Sequence, residues 1–375
     1  MTKTPVFFNA MILREPYSGV EVTVHQTLRA LAEYGTLPVC ACLPAAHRPI
    51  PPAPHIRLLT NTVPARSRLL RIMWEQTALP VLLRRLRAPL LHSPAYVAPL
   101  LSPCPYVLTI HDLHVFTHPG FCSPGNRLHY RMIMPCSIRR AAKIIAFSQY
   151  TRDKISARFP DAASKIIVIP PGISPDLKPC ADPARLQRAK SRYRLDEPFL
   201  LFIGDLTSRK NIDGIIRAFA ALRAKRQELQ LTLAGHCDRK MIRAINQTAA
   251  ELGVAGHTNL PGYIAPADLA AVYSLAALLV FPSHDEGFGL PPLEAMACGC
   301  PVVCSENPFA AMHGDAVSVC DPEAPESIAA AAMPLLENST FRDVRIAAGL
   351  RRAAAFSWQA AAAATENVYR TLLDN

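Results

Sequence analysis

"AALLVFPSHDEGFGLPPLEAMACGCPVVCSE", residues 276 to 306, runs from an apolar segment through a glycine-rich loop and a short helical pattern into a second apolar segment. Pro291 and Pro292 suit the first turn of that helix, where a missing N–H costs little. Strand, helix and strand in this order imply two parallel strands of one sheet with the helix crossing over. The same alternation extends to either side. "FLLFIGDL", "NIDGIIRAFAALRAK", "LQLTLAGH" and "RKMIRAINQTAAELG" precede it, and in the first half "PVFFNAMIL", "LPVCACL", "PLLHSP", "YVLTIHD", "KIIAFSQ" and "KIIVIPPG" are strand-like. Between the first two of these, "EVTVHQTLRALAEYG" places Val24, Leu28 and Leu31 at helical spacing and stops at Gly35.

From Pro170 to Pro198 the alternation lapses into a proline-rich stretch, which predicts a linker with at most one short basic helix. The expected organisation is therefore α/β, with two doubly wound parallel-sheet domains in tandem and a cleft between them. Residues 1–178 form the first, 179–355 the second, and 356–375, "WQAAAAATENVYRTLLD" included, a terminal helix. A chain of 375 residues, half of them hydrophobic, is long enough for two cores.

No apolar stretch reaches the ~18 residues of a membrane span, and the N-terminus reads as a first strand and not as a signal peptide. Eleven cysteines without regular spacing predict reduced thiols and a cytoplasmic location. Cys298, Cys300 and Cys304 read as small side chains in a helix-to-strand corner and not as a zinc set. Residues 1–178 hold 21 Lys and Arg against 8 Asp and Glu, net +13, whereas residues 179–375 hold 19 against 21, net −2. A half this basic suits an anionic membrane surface or substrate. Aromatic residues are not interleaved with the charges as a nucleic-acid platform requires, so no nucleic-acid partner is expected. Residues 65–88 read as one basic amphipathic helix with Trp74, a candidate for lying on a membrane or for packing on its own domain.

Ligands of open α/β sheets sit at the carboxyl ends of the strands. Glu286 lies before the glycines of the opening stretch and Glu294 inside the following helix, so they do not share one helical face. A glycosidase would need two facing carboxylates. Here one carboxylate suits a sugar's hydroxyls and the other a ribose, with the Gly287, Phe288, Gly289 and Leu290 backbone as an anion seat. In "LFIGDLTSRKNIDGI" a strand ends at Gly204, and Arg209 and Lys210 stand where a departing diphosphate would gather charge. In "TIHDLHVFTH", His111 and Asp112 end a strand, and His111 can orient or polarise groups at a reacting centre. Gly19, in "EPYSGVEVT", would let a phosphate or sugar approach backbone N–H groups.

Taken together and in this order, Gly19, His111-Asp112, Arg209-Lys210 and Glu286-x7-Glu294 resemble the retaining nucleotide-sugar glycosyltransferases of family 4. "LLHSPAYVAP", "IIAFSQYTRDKI", "IIVIPPGI", "LTLAG", "NLPGYI" and the closing "FSW…VYRTLL" extend the resemblance over nearly the whole chain. It implies the GT-B fold, with the acceptor handled chiefly by the first Rossmann-like domain, the donor by the second, and the terminal helix crossing back to the first. Carried over, Arg209 and Lys210 would hold the donor diphosphate, Glu286 and the 287 to 290 backbone the transferred sugar, and Glu294 the ribose. His111 would lie near the anomeric centre and Gly19 near the phosphates. The wording of the 284 to 303 segment is most similar to mannosyl- and rhamnosyltransferases that use GDP-sugars in surface polysaccharide assembly. The implied partners are a nucleotide-sugar donor and a saccharide acceptor; the basic first half suggests that the acceptor is lipid-linked and that the protein is peripheral at the inner face of the cell membrane. No D-x-D triplet occurs, so neither cofactor nor metal is expected, and Arg209, Lys210 and the helix N-terminus would stand in for the ion. One departure is Glu21, where many relatives carry a second glycine and a basic residue soon after; it is assigned with Asp112 to the acceptor side. The rival classes are a GT-B epimerase or phosphorylase and a catalytically silent nucleotide-sugar binder.

Overall fold

The computed structural model describes residues 5–63, 67–196, 198–306 and 308–374. The chain divides into two units, Met1–Gly172 with Ser357–Asn375, and Ile173–Phe356.

The first unit holds a parallel sheet of β1 (Val6–Asn9), β2 (Val39–Pro44), β3 (Ile56–Asn61), β4 (Leu91–Ser93), β5 (Tyr106–Ile110), β6 (Lys143–Ala146) and β7 (Ile166–Val168), in the order β3-β2-β1-β4-β5-β6-β7. Strands β1, β2, β4 and β5 are buried throughout, as expected where helices cover both faces of a parallel sheet. Edge strand β3 is largely exposed. The direction of strand order reverses between β1 and β4, so ligands belong at the carboxyl ends of these two strands.

The expected single helix over 65–88 is two helices, Arg68–Gln76 and Ala78–Arg85, and its first two residues lie outside the described residues. Pro80 has no N–H to give the residue-76 carbonyl, and the helix breaks at Thr77, whose hydroxyl returns to the Met73 carbonyl at 2.7 Å.

Helix Trp358–Leu373 packs on helix Gly19–Tyr34 in this same unit. Glu366 accepts the N–H groups of Thr36 (2.6 Å) and Leu37 (2.7 Å). Burial opposes its charge, but those bonds, the Thr36 hydroxyl and Arg370 prevail and hold its pKa below the usual carboxylate value. A Cβ on Gly35 would come 2.7 Å from Glu366 Oε1, so glycine is required beside this dock. Tyr369 completes it from the next turn, its hydroxyl 2.5 Å from Nδ1 of buried His92.

The second unit holds β8 (Phe199–Ile203), β9 (Gln230–Ala234), β10 (Thr258–Gly262), β11 (Leu278–Phe281), β12 (Val302–Ser305) and β13 (Ser318–Cys320), parallel and in the order β10-β9-β8-β11-β12-β13. Its core stacks Phe202 on Phe281 at 5.7 Å. The proline-rich stretch expected as a linker is largely part of this unit. Helix Pro183–Tyr193, capped by Asp182, packs against helix Leu269–Leu275 and buries Tyr193. Cys298, Cys300 and Cys304 are buried, and burial pushes all three thiols up, Cys300 to about 12, which suits inert packing.

Candidate active site

In the second unit the order reverses between β8 and β11, and the residues singled out in the sequence gather beyond these two strands. Gly204 follows β8 at φ +150°, and a Cβ on Gly235 would overlap the Gly204 carbonyl oxygen, so two glycines let the ends of β8 and β9 meet. A single 3₁₀ turn, Ser208–Lys210, then presents the cations. Asn211 takes the left-handed conformation at φ 56°, caps helix Ile212–Arg223 by accepting from Gly214 N–H at 3.2 Å, and donates to the Pro322 carbonyl at 2.6 Å. That cap fixes the turn from both sides.

Arg209 donates to the Asp285 carbonyl at 2.7 Å and to Glu286 Oε2 at 3.3 Å, and Lys210 Nζ bonds the same Oε2. The loop answers with the His284 N–H, 3.0 Å from the Arg209 carbonyl. Lys210 is 7% exposed and lies 4.4 Å over the Phe281 ring. Burial pulls its pKa down to about 8, with Glu286 opposing and Arg209 adding repulsion. Two cations thus converge on one carboxylate oxygen, although 76 and 77 residues separate them from it in sequence.

Gly289 stands at φ 86°, ψ 61°, immediately before helix Leu290–Ala297. A Cβ there would lie 2.8 Å from the Phe309 ring, so glycine is required by conformation and by space. Phe288 is buried, edge-on to Phe356 at 5.8 Å, while Gly287 is buried and Leu290 begins the helix. Glu294, one turn in, accepts from the Tyr273 hydroxyl at 3.0 Å. Burial raises its pKa to about 7 against that bond.

In the first unit, Gly19 is exposed and opens helix Gly19–Tyr34. An added Cβ would meet nothing within 4 Å, so no neighbour in the chain demands glycine there. Glu21 is turned back: its Oε2 accepts from the Ser18 N–H at 3.2 Å and from the Ser18 hydroxyl, and its Oε1 from Arg14 at 3.4 Å. Both carboxylate oxygens are spent at the helix start. His111 directly follows β5, buried against Phe147 (4.7 Å) and Tyr96 (5.1 Å), its Nε2 2.8 Å from the Pro94 carbonyl. Because a carbonyl only accepts, Nε2 carries the proton, and burial lowers the pKa, so the ring is neutral with Nδ1 as its acceptor. Asp112 accepts from the Tyr96 hydroxyl at 2.6 Å and from the His114 N–H at 3.1 Å.

Residues 17–177 match the family model described as Glycosyltransferase Family 4, and residues 184–352 the model described as Glycosyl transferases group 1. The O-antigen chain mannosyltransferase B of Escherichia coli is 33% identical over 273 residues, which cover 71% of this chain and 70% of that protein. The chain belongs to the family 4 glycosyltransferases. Serotype-specific mannosyltransferase WbdA of Escherichia coli is 30% identical over 215 residues, 56% of this chain but only 26% of that longer protein. Sucrose-phosphate synthase from Thermosynechococcus elongatus matches the fold with a TM-score of 0.81 at 24% identity, covering 99% of this chain and 100% of that one. The architecture of this glycosyltransferase is GT-B.

Residues outside the sequence-derived set support its site. Asn211 could have been read as a helix cap ahead of "IDGI". Tyr273 behind Glu294 and Phe309 against Gly289 carry no sequence signal, because they come from separate elements and act through packing.

Proposed function

We propose that this glycosyltransferase moves a hexosyl group, mannosyl in the favoured reading, from a nucleoside diphosphate sugar to a hydroxyl of a saccharide or lipid-linked saccharide, with retention at the anomeric carbon. The observation that carries the reading is the meeting of Arg209, Lys210 and Glu286 beside the Gly289 turn. In this reading the two cations neutralise the diphosphate as the glycosidic bond breaks, when its negative charge grows most. Glu286, held by them in the free protein, turns its carboxylate to the sugar hydroxyls, and Glu294 addresses the ribose. Gly19, glycine without steric need, leaves room for phosphate at a helix N-terminus. Neutral His111 accepts a hydrogen bond from a substrate hydroxyl through Nδ1 and so orients it. The reading assigns no side chain as a nucleophile and favours front-face departure and attack through an oxocarbenium-like state. Arg209 and Lys210 do the work of a divalent ion, which makes the reaction metal-independent.

The lean toward mannose and GDP rests on the wording of the 284 to 303 segment and on the name of the Escherichia coli relative. Membrane association at the inner face is supported by the basic first half and by Leu69, Leu70 and Met73, 69%, 45% and 54% exposed on helix Arg68–Gln76. Among the described residues no helix is long and apolar enough to cross a membrane.

The test is a melting series with GDP, UDP, GDP-mannose and UDP-glucose, followed by anomer analysis of the product by NMR with chelator present. A binder of the folded state raises the melting temperature. Failure of every nucleotide to do so would end the proposal. An inverted product would end the retaining assignment, loss of turnover with chelator the metal-free one, and absence of vesicle binding at low salt the membrane one.

A further inference from the structure

The first unit holds a second group of polar side chains that the proposed donor chemistry does not use. Asn9 ends β1, Tyr96 follows β4, and helices Arg68–Gln76 and Pro124–Arg140 bring Arg68, Arg71 and Tyr130 to the same end of the sheet. Arg71 is the exception to normal pairing. It is 8% exposed, its Nε is buried without a partner, and among the described residues its guanidinium makes no hydrogen bond and no ion pair. A buried guanidinium ordinarily spends its donors on carboxylates or carbonyls, because an unpaired buried charge is expensive. Glu75, one turn further along the helix, spends Oε1 on Asn9 Nδ2 at 3.3 Å, and burial raises its carboxyl despite Arg71.

The surroundings add positive charge. Arg68 lies 5.6 Å over the Tyr130 ring and, among the described residues, its hydrogen bond is to the Gly125 carbonyl, at 3.5 Å. Burial lowers its pKa, Tyr130 opposes, and Arg71 and Arg14 add repulsion. His129 is pushed down to about 4, by burial first and then by Arg68 and Arg71. Glu21 holds Arg14 at 3.4 Å and Glu75 offsets part of the charge, but Arg71 Nε stays unmet among the described residues. The unspent donors of Arg71, with Arg68 one turn before it, match a phosphoryl group, whose several oxygens and charge they can share.

We infer that Arg71, with Arg68 and Tyr130 beside it, forms a seat for a phosphoryl group carried by the acceptor. The inference rests on the proposed glycosyl transfer and names its acceptor class. Tyr96 links the seat to the site already described, its ring 5.4 Å from Tyr130 and 5.1 Å from His111. The seat and His111 therefore address neighbouring parts of one molecule. The phosphoryl group belongs either to a sugar phosphate or to the diphosphate of a prenyl-type lipid carrier.

The experiment titrates the full chain and Arg71→Met with a hexose 1-phosphate, farnesyl diphosphate and neutral methyl mannoside. Saturating GDP or UDP keeps the phosphorylated probes off Arg209 and Lys210. Arg71→Met is expected to weaken the phosphorylated probes on the order of 10²-fold and to leave methyl mannoside and the nucleotide unchanged. Arg71→Lys should recover part of the binding. Arg71-dependent binding of farnesyl diphosphate alone supports the seat and assigns the phosphoryl to a lipid carrier; binding of the hexose phosphate supports it and assigns the phosphoryl to the sugar. Equal affinity of wild type and Arg71→Met for both probes, or no binding of either by wild type, overturns the seat. Arg71-dependent binding in a protein that takes no nucleotide would keep the seat and remove the glycosyl-transfer reading instead.

Discussion

Replacing Lys210 by methionine removes a nearly buried ammonium while keeping the apolar body of its stem. The amine falls from its ordinary 10.5 to about 8, because burial outweighs the attraction of Glu286 and Arg209 repels. The unfolded amine keeps its proton up to about 10.5, so between about 8 and 10.5 the unfolded chain binds more protons than the folded one. Stability contributed by this site therefore rises with pH through that window, and below about 8 the full cost is present. At 1.36 kcal/mol per pH unit the cost amounts to about 3 kcal/mol. Glu286 keeps Arg209 at 3.3 Å in the variant, so its carboxylate is not stranded. Lys210→Met should therefore melt no lower than wild type at pH 7, and higher by up to about 2–4 °C per kcal/mol recovered. Its turnover should fall on the order of 10²- to 10³-fold if the amine meets the leaving diphosphate. The assay is thermal unfolding of both proteins from pH 7 to 10.5, with turnover at pH 7. A variant that melts several degrees lower at pH 7, with a difference from wild type that stays constant up to pH 10.5, would refute the reasoning about burial. Wild-type turnover would remove Lys210 from the mechanism.

Two further substitutions probe the scaffold. Gly289→Ala meets both a left-handed backbone and the Phe309 ring at 2.8 Å, and should cost about 1–3 kcal/mol in urea unfolding while raising the donor KM more than it lowers kcat; unchanged values of both would show that the turn relaxes freely. Glu366→Ala strands the Thr36 and Leu37 N–H groups and should cost about 2–4 kcal/mol, with faster hydrogen exchange along helix Trp358–Leu373. Because the Glu366 pKa is depressed, its contribution is present above the ordinary carboxylate value and lost as pH falls through the folded one, so wild type and variant should converge in acid; a gap that persists there would count against the dock.

The parts of the fold legible in the sequence are those buried on both faces. Strands β2, β8 and β11 are unbroken apolar runs, and β1 and β5 carry one polar residue each, Asn9 and Thr109, because helices cover both sides of the sheet. Strands β3, β10 and β13 were not legible, and all three lie at sheet edges. There "IRLLTN" mixes charge with apolar residues, "TNLPG" contains a proline and a glycine, and "SVC" is three residues long. Partial exposure removes the periodic signal on which reading depends. In the site, residue types were legible and partnerships were not. Nothing local to Glu21 says that both its oxygens close a helix start, and nothing local to Arg71 says that it faces inward, since its neighbours Leu69 and Leu70 are exposed.

The two glutamates that bracket the Gly289 turn show how environment assigns roles that spacing leaves open. Glu286 stands in the loop with Oε2 between a guanidinium and an ammonium. Glu294 stands in the helix beneath, where burial raises its pKa to about 7 and it accepts from the buried Tyr273 hydroxyl. An acid and base pair for hydrolysis would need both groups to face one bond from opposite sides. Here they sit on different elements, and each is held by its own partners. Cations that hold Glu286 in the free protein are the same ones a diphosphate would claim, so in the proposed reaction donor binding and release of the Glu286 carboxylate would be one event. The carboxylate would then be freed toward the sugar only with the phosphates in place, which would couple recognition of the leaving group to positioning of the group transferred.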